Sequence, residues 1–189
     1  MKKEILFISG GGDRGYEEDV KLVDSLQTAL GTAYEVHYPR MQVDETAPDF
    51  GWLRQIGKKI ESIKDEVIIV AHSLGASLLL KYLSEEEVKK QLGGIFLIAT
   101  PFWSGEEDWV RGLKLQKDFA DKLPKDAPIF FYHCRDDEDV SFDHFLIYKQ
   151  KLPYATFREL AKGGHQFGND LTPVAQDVKK LFFAINEGG

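Results

Sequence analysis

The sequence predicts an α/β fold, a three-layer α/β/α sandwich with about six mostly parallel strands, in one domain over residues 1–189. Short, continuous apolar runs alternate along the chain with longer amphipathic segments, which is the pattern of repeated βα units. The apolar runs have no alternating polar face, as expected of strands that are covered by helices on both sides. A chain of 189 residues is also long enough to bury a sizeable core.

Six segments have the composition of buried strands. The run EVIIVA (66–71) is the most strand-like, and EILFIS (4–9) is a similar run that a glycine cluster ends. YEVHY (34–38) ends at Pro39. The predicted strands are 4–9, 34–38, 66–71, 94–100, 128–134 and 155–160.

Helices are predicted between these strands and after the last one. Apolar residues at helical spacing follow the first strand, namely Val20, Val23, Leu26 and Leu30, and Gly31 is a suitable stop. Asp49, or a residue near it, is expected to cap a helix whose apolar face carries Trp52, Ile56 and Ile60. The other predicted helices are 74–87, 107–122, 141–151 and 171–185.

Composition excludes several classes of function. A net charge of −7, with basic residues interspersed among acids, disfavours a nucleic-acid or anionic-membrane surface. No apolar run has the length of a membrane span, and Ile5 to Ile8 is too short for a secretory segment. The single cysteine, Cys134, excludes an internal disulfide and suits a reducing cytoplasm, where we expect the protein to be located.

A serine follows the third predicted strand, in AHSLG (71–75). A serine at a sharp turn between strand and helix can act as a nucleophile, because small residues two before and two after it allow close packing. Ala71 and Gly75 hold those positions, so the sequence departs from GxSxG by one methyl group. The alternative is that Ser73 caps the following helix. The choice depends on whether a base and an acid are available.

His165 is the best candidate for the base. It lies in AKGGHQF, a glycine-rich loop after the last strand, whereas the other four histidines fall in strands, in the serine turn or on a helix. Ligands of open α/β sheets bind beyond the carboxyl ends of the strands, so this loop can bring an imidazole over the cleft. The alternative is an ordinary surface histidine.

The acid is expected in the loop after the fifth strand, which offers Asp136, Asp137, Glu138 and Asp139. Four adjacent acids usually form a solvated turn, but a carboxylate that binds His Nδ1 must face inward. The resulting chain order of serine, acid and histidine is that of α/β hydrolases rather than of chymotrypsin or subtilisin.

SGGGDRG (9–15), after the first strand, is the candidate loop for an oxyanion hole. Glycine lets backbone N–H groups point into a cleft and lets a substrate come close. We expect the donors to be the backbone N–H groups of Leu74 and Gly11, with Gly12 or Gly10 as alternatives. A phosphate-binding loop is the other interpretation, but the glycines match neither the GxGxxG nor the GxxxxGK[ST] pattern.

Four separated motifs, ILFISGGG, IIVAHSLGAS, CRDDEDVS and GGHQF, together resemble the α/β-hydrolase superfamily over about residues 4 to 185. The short chain and HYPRM after the second strand resemble the small, lidless group that includes the retinoblastoma-binding serine hydrolase and its bacterial relatives. The resemblance implies a minimal hydrolase fold with strand order 2-1-3-4-5-6.

The resemblance also selects an acid. In the family the loop after this strand has a glycine, two variable residues, an Asp, two more variable residues, and then Val and Pro. Asp137 and Val140 match, whereas Cys134 and Ser141 stand where the family has glycine and proline. The resemblance therefore implies Asp137 as the triad acid, and the two departures leave Asp139 as a rival.

These residues together predict a serine hydrolase that cleaves an ester, thioester or amide of a small acyl group, without a metal or organic cofactor. Phe102 and Trp103, and Trp109 further along, are expected to wall an apolar acyl pocket beside Ser73, although such aromatic residues more often cover a core. Residues 39–42 can form the opposite wall. The alternative function is a non-catalytic interaction module that keeps the hydrolase fold.

Overall fold

A computed structural model describes residues 2–186 of the chain. Its six strands form one parallel sheet in the order β2-β1-β3-β4-β5-β6, which confirms the predicted order. The strands are β1 (Lys3–Ile8), β2 (Tyr34–His37), β3 (Val67–His72), β4 (Leu92–Ile98), β5 (Ile129–Cys134) and β6 (Thr156–Leu160). The helices are α1 (Gly15–Leu30), α2 (Trp52–Ser62), α3 (Ser73–Glu85), α4 (Phe119–Lys122), α5 (Phe142–Lys151) and α6 (Thr172–Asn186).

Helices cover both faces of the sheet, so the three-layer architecture is confirmed. On one face α1 and α6 pack against side chains such as Phe7, Val70 and Phe96. On the other face α2, α3 and α5 pack against alternate strand residues, such as Leu6 and Ile69. Because neighbours along a strand enter opposite cores, the strands read as continuous apolar runs.

The register brings the carboxyl ends of the central strands to one edge. Ile8 lies beside Ala71, and His72 lies beside Ile98, so the loops after β1, β3 and β4 begin at the same level. Cys134 and Leu160 pair at the ends of β5 and β6. The glycine loop, Ser73, the acidic loop and the His165 loop therefore all follow strands at this edge.

The buried stripe of α1 differs from the predicted one. Leu26 and Leu30 are buried as expected, but Leu22 packs in the core where Val20 was predicted, and Val20 is 39% exposed. Asp19 is fully buried on the same stripe. A carboxylate therefore occupies a position of the helix that faces the protein interior.

The predicted helix over 107–122 is wrong. The segment contains a 3-10 turn (Asp108–Val110) and the one-turn α4, with irregular chain between them. Gly112 packs against the loop before α2, where an added Cβ would lie 1.8 Å from the Pro48 carbonyl oxygen. The Lys114 carbonyl accepts a hydrogen bond from Lys81 Nζ at 3.0 Å instead of a helical one. Tertiary contacts therefore override the local helical pattern.

No helix in residues 2–186 combines the length and the apolarity needed to cross a membrane.

Candidate active site

Ser73 lies at a tight turn between β3 and α3. It is the first residue of α3 and has a positive φ of 50°, a conformation that non-glycine residues adopt rarely and mostly where the surrounding structure imposes it. The N-cap of the helix is His72, and no side chain caps the helix. Ser73 therefore does not serve as the helix cap.

Close packing imposes this turn. A Cβ at Gly75 would lie 2.2 Å from the Ser9 carbonyl oxygen of the loop after β1, so only glycine fits there. Ala71 is fully buried as the last residue of β3 that pairs with β1. The methyl group by which the sequence departs from GxSxG is thus accommodated.

Ser73 opens into a cavity of about 440 Å³, a volume typical of small-ligand sites. The loops after all six strands contribute to its wall, through residues that include Gly11, Phe50, Ser73, Trp103, Asp139 and His165. The structure thereby brings together the residues that the sequence placed after separate strands.

His165 is held by a buried carboxylate. Both oxygens of Asp137 lie close to His165 Nδ1, at 3.1 and 3.0 Å, and the Asp137 side chain is fully buried. Asp137 Oδ1 also accepts the backbone N–H groups of Val140 at 2.8 Å and Asp139 at 3.0 Å. Burial raises the pKa of Asp137, but the hydrogen bonds from His165 and Val140 outweigh it and hold that pKa below its ordinary value.

The four acids of this loop have separate roles. Asp136 accepts the N–H groups of Gly163 and Gly164, and Glu138 accepts that of His165, so both hold the histidine loop through its backbone. Asp139 lines the cavity near its rim. Asp137 is the acid whose carboxylate contacts the imidazole ring.

His165 has the properties of a general base. Burial lowers its pKa, but the hydrogen bond from Nδ1 to Asp137 and the Asp137 charge outweigh burial and raise that pKa above its ordinary value. With Nδ1 bound to Asp137, Nε2 is the nitrogen that can take a proton from the cavity. Among residues 2–186, Ser73 Oγ has no hydrogen bond. In apo sites the contact between nucleophile and base is often long and tightens only with substrate.

The glycine loop lies directly against the residue after Ser73. A Cβ at Gly11 would lie 2.3 Å from Leu74 Cδ2, so the loop approaches α3 as closely as a residue without a side chain allows. The Gly10 N–H donates to Asp19 Oδ2 at 2.7 Å and is therefore engaged. The Leu74 N–H lies in the first turn of α3, where no intrahelical partner exists. Leu74 and Gly11, with Gly12 as the alternative, remain the candidate donors.

The three predicted pocket aromatics have different positions. Trp103 lines the cavity, and its Nε1–H donates to Ser77 Oγ at 2.9 Å. Trp109 meets Trp103 edge to face and also lines the cavity. Phe102 is not among the lining residues, which corrects the expectation, because its ring packs edge to face against Tyr148.

Part of the 39–42 segment borders an adjoining cavity of about 440 Å³. Arg40 and Met41 line it together with Trp52, and it shares Phe50 and the glycine loop with the cavity at Ser73. Leu74 lines both cavities.

Sequence reasoning gave no role to His144, yet this residue lines the cavity at Ser73. Its Nδ1 accepts the Phe102 N–H at 2.7 Å, and burial lowers its pKa. His144 is therefore a neutral imidazole that carries its proton on Nε2 and can donate to a ligand. The position of His144 on α5 does not indicate this role, because the hydrogen bond to its ring comes from Phe102, in the irregular chain after β4.

Asp19, His72 and Gln166 were also missed. All three line the cavity, and hydrogen bonds join both His72 and Gln166 to the buried Asp19 carboxylate. An acid on the core-facing stripe of α1 is the signal that could have indicated this network, because such a group requires buried partners.

The thiol of Cys134 is not suited to act as a nucleophile. It is fully buried, and burial raises the pKa of its thiol to about 12, so it stays protonated and unreactive.

The parallel sheet and the loops at its carboxyl edge define an α/β hydrolase. Solved structures with this fold include SOBER1 of Arabidopsis thaliana, with a TM-score of 0.68 and 17% identity over 96% of this chain and 100% of that one. The ydeN gene product of B. subtilis has a TM-score of 0.69 and 20% identity over 96% of this chain and 99% of that one.

The chain belongs to the serine hydrolase family, whose sequence model matches residues 23–172. YdeN of Bacillus subtilis (strain 168) is 26% identical over 141 residues, which cover 70% of this chain and 72% of YdeN. The protein is therefore a hydrolase of the small α/β type.

Proposed function

We propose that the protein hydrolyses carboxylic esters or thioesters of small acyl groups through an acyl-enzyme, with Ser73, His165 and Asp137 as its catalytic triad. The observation that carries the proposal is the buried Asp137 carboxylate on His165 Nδ1, in a cavity that also contains Ser73. Family membership and the strained backbone at Ser73 support it.

Each residue has a defined step. Ser73 Oγ attacks the substrate carbonyl carbon while its proton passes to His165 Nε2, and the Leu74 and Gly11 N–H groups stabilise the oxyanion. His165 then gives that proton to the leaving alkoxide or thiolate, which departs as Ser73 becomes acylated. Water then attacks the acyl carbon while its proton passes to His165 Nε2, the bond from the acyl carbon to Ser73 Oγ breaks as His165 returns the proton to Oγ, and the carboxylic acid leaves. Asp137 keeps the imidazole in the required tautomer and stabilises the imidazolium.

The cavity wall supports a preference for uncharged acyl groups. Among the described residues that line it, none is Lys or Arg, whereas Glu18 and Asp139 carry negative charge. The aromatic rings of Phe50, Trp103 and Trp109 supply apolar surface instead. An acyl group that carries a carboxylate would meet like charge and find no lysine or arginine to pair with among these described lining residues.

A panel of p-nitrophenyl esters tests the proposal. We expect turnover of the acetate and butyrate above the Ser73→Ala background, with lower kcat/KM for the hemisuccinate because of its charge and for the palmitate because of its length. The matching acyl thioester should also be cleaved. A non-catalytic interaction module would give no turnover above that background with any of these substrates.

The pH dependence of kcat/KM should have an acid limb set by His165. Only the neutral imidazole accepts the Ser73 proton, and a raised pKa keeps His165 protonated to higher pH, so the midpoint should lie above the ordinary 6.5. Asp139 contributes to this rise through its charge. Asp139→Asn should therefore move the midpoint to lower pH. A flat profile between about pH 5 and 8 would contradict the assignment of His165.

A further inference from the structure

A second aspartate–histidine pair lies beneath the proposed triad. Asp19 and His72 have side chains that are each 1% exposed, and His72 Nδ1 lies 2.9 Å from Asp19 Oδ1 and 3.0 Å from Oδ2. His72 directly precedes Ser73, and its ring centroid is 4.7 Å from that of His165. The mechanism proposed above uses neither residue.

The second nitrogen of His72 also faces an acceptor. His72 Nε2 lies 3.1 Å from the backbone carbonyl oxygen of His165. Burial raises the pKa of Asp19, but the hydrogen bond and the charge of His72 outweigh it and leave that pKa below its ordinary value, so Asp19 is an acceptor-only carboxylate. A neutral imidazole has one N–H, so it cannot donate to both oxygens. The two contacts therefore call for protons on both ring nitrogens.

The pair joins three loops at the catalytic edge. Asp19 Oδ2 accepts the N–H of Gly10, one residue before the proposed oxyanion donor, at 2.7 Å. Asp19 Oδ1 accepts from Gln166 Nε2 at 3.2 Å, and His72 holds the carbonyl of His165. The glycine loop, the serine turn and the histidine loop are thereby cross-linked at one buried point.

Stability alone is a poor explanation for such a pair. Removing two charges from water is expensive, and apolar replacements of buried ion pairs are often neutral or stabilising. Here, however, two of the hydrogen bonds hold backbone groups, the Gly10 N–H and the His165 carbonyl, in segments that carry proposed catalytic groups. Catalysis is sensitive to such placement, because displacement by about 1 Å can cost about 100-fold in rate.

We infer that Asp19 and His72 form a buried carboxylate–imidazolium pair whose role is to position the oxyanion loop, Ser73 and His165 relative to one another. They are positioning residues, since neither is assigned a contact with the reacting atoms. The positioning role in catalysis rests on the proposed function, whereas the protonation of both His72 ring nitrogens does not.

The protonation of His72 is tested first, by ¹⁵N-histidine NMR of the wild-type protein at about pH 7.5, which is about one unit above the ordinary histidine pKa. We expect His72 to show a directly bonded proton on each ring nitrogen, with its signals assigned by their loss in His72→Gln. One unprotonated ring nitrogen on His72 would overturn the inference. This measurement needs no substrate.

The positioning role is tested with Asp19→Asn. Asp177→Asn is the matched control, because Asp177 is a buried carboxylate with hydrogen bonds from Tyr132 and Arg158 but does not line the cavity. Both variants are first shown to be folded, and the concentration of active sites is measured by titration with a fluorophosphonate. We then expect Asp19→Asn to lower kcat by about 10- to 100-fold with little change in KM. Asp177→Asn should keep the wild-type kcat.

A second variant and a distinction between outcomes complete this test. Gln166→Ala removes one neutral hydrogen bond from Asp19 and leaves the charges in place, so it serves if Asp19→Asn does not fold, and its kcat should also fall. Equal kcat for the Asp19, Gln166 and Asp177 variants would overturn the positioning role. A wild-type protein without turnover would instead refute the proposed function, and the ring-proton measurement would still decide whether the pair exists.

Discussion

Replacing Ser73 with alanine is expected to lower kcat by about 10⁴- to 10⁶-fold, because no other group at the turn can form the acyl-enzyme. The same change should alter the free energy of unfolding by less than about 0.5 kcal/mol. The reason is that Ser73 Oγ makes no capping hydrogen bond. Kinetics with p-nitrophenyl acetate and chemical denaturation measure the two effects.

Ser84→Ala is the matched control for this prediction. Ser84 lies on the same helix, is buried, and donates its Oγ–H to the Lys81 carbonyl. It should retain the wild-type kcat while losing about 1 kcal/mol of stability with its hydrogen bond. If Ser73 served only as a helix cap, Ser73→Ala would instead lose about 1 kcal/mol and keep any activity.

The second large effect is expected from Asp137→Asn, which should lower kcat by about 10⁴-fold. An asparagine amide can donate to His165 Nδ1 and so favour the tautomer in which Nε2 carries the proton, which leaves no base facing Ser73. It also cannot stabilise the imidazolium that forms during attack. KM should change little, because Asp137 is fully buried and does not line the cavity. Steady-state kinetics at the pH optimum measure both parameters.

Asp136→Asn and Asp139→Asn are the controls within the same loop. Asp136 binds the backbone of the histidine loop and Asp139 lies at the cavity rim, so each should keep kcat within about tenfold of wild type, as expected where only positioning is disturbed. A loss of about 10⁴-fold in Asp139→Asn, with Asp137→Asn nearly unaffected, would show that the rival acid was the right one.

Much of the fold followed from the sequence because buried parallel strands have a local signature. EVIIVA is apolar at every position after Glu66, and EILFIS is apolar from Ile5 to Ile8; the structure places them in the adjacent strands β3 and β1. The strand order came from the resemblance to α/β hydrolases rather than from these patterns. The position of Ser73 between a strand and a helix was equally local, since AHSLG itself contains the small residues that the turn requires.

The segment between β4 and β5 could not be predicted, because long-range contacts decide its conformation. Its apolar residues suggested a helix over 107–122, but Gly112 packs against Pro48 and the Lys114 carbonyl binds Lys81. The positions of Phe102 and His144 depend on the same irregular chain. Its path packs the half-buried Phe102 ring against the core and brings a neutral imidazole to the cavity.

The Asp19 network is the other feature that local reasoning missed. The helical pattern of α1 was identified from Val20 and Val23, one residue away from the stripe that is buried. If Leu22 and Leu26 are placed on the core side of the helix, Asp19 also faces the protein interior. Its partners, His72 and Gln166, lie 53 and 147 residues further along the chain, so that only the folded sheet brings them together.

The central claim, that Ser73 is the nucleophile of a serine hydrolase, is tested most directly by covalent labelling. The protein is incubated with a fluorophosphonate, digested, and the adduct located by mass spectrometry, with Ser73→Ala and Ser84→Ala treated in parallel. We predict one phosphonyl group, on Ser73, in the wild type and in Ser84→Ala, and none in Ser73→Ala. An unlabelled wild type, or labelling that persists in Ser73→Ala, would contradict the claim.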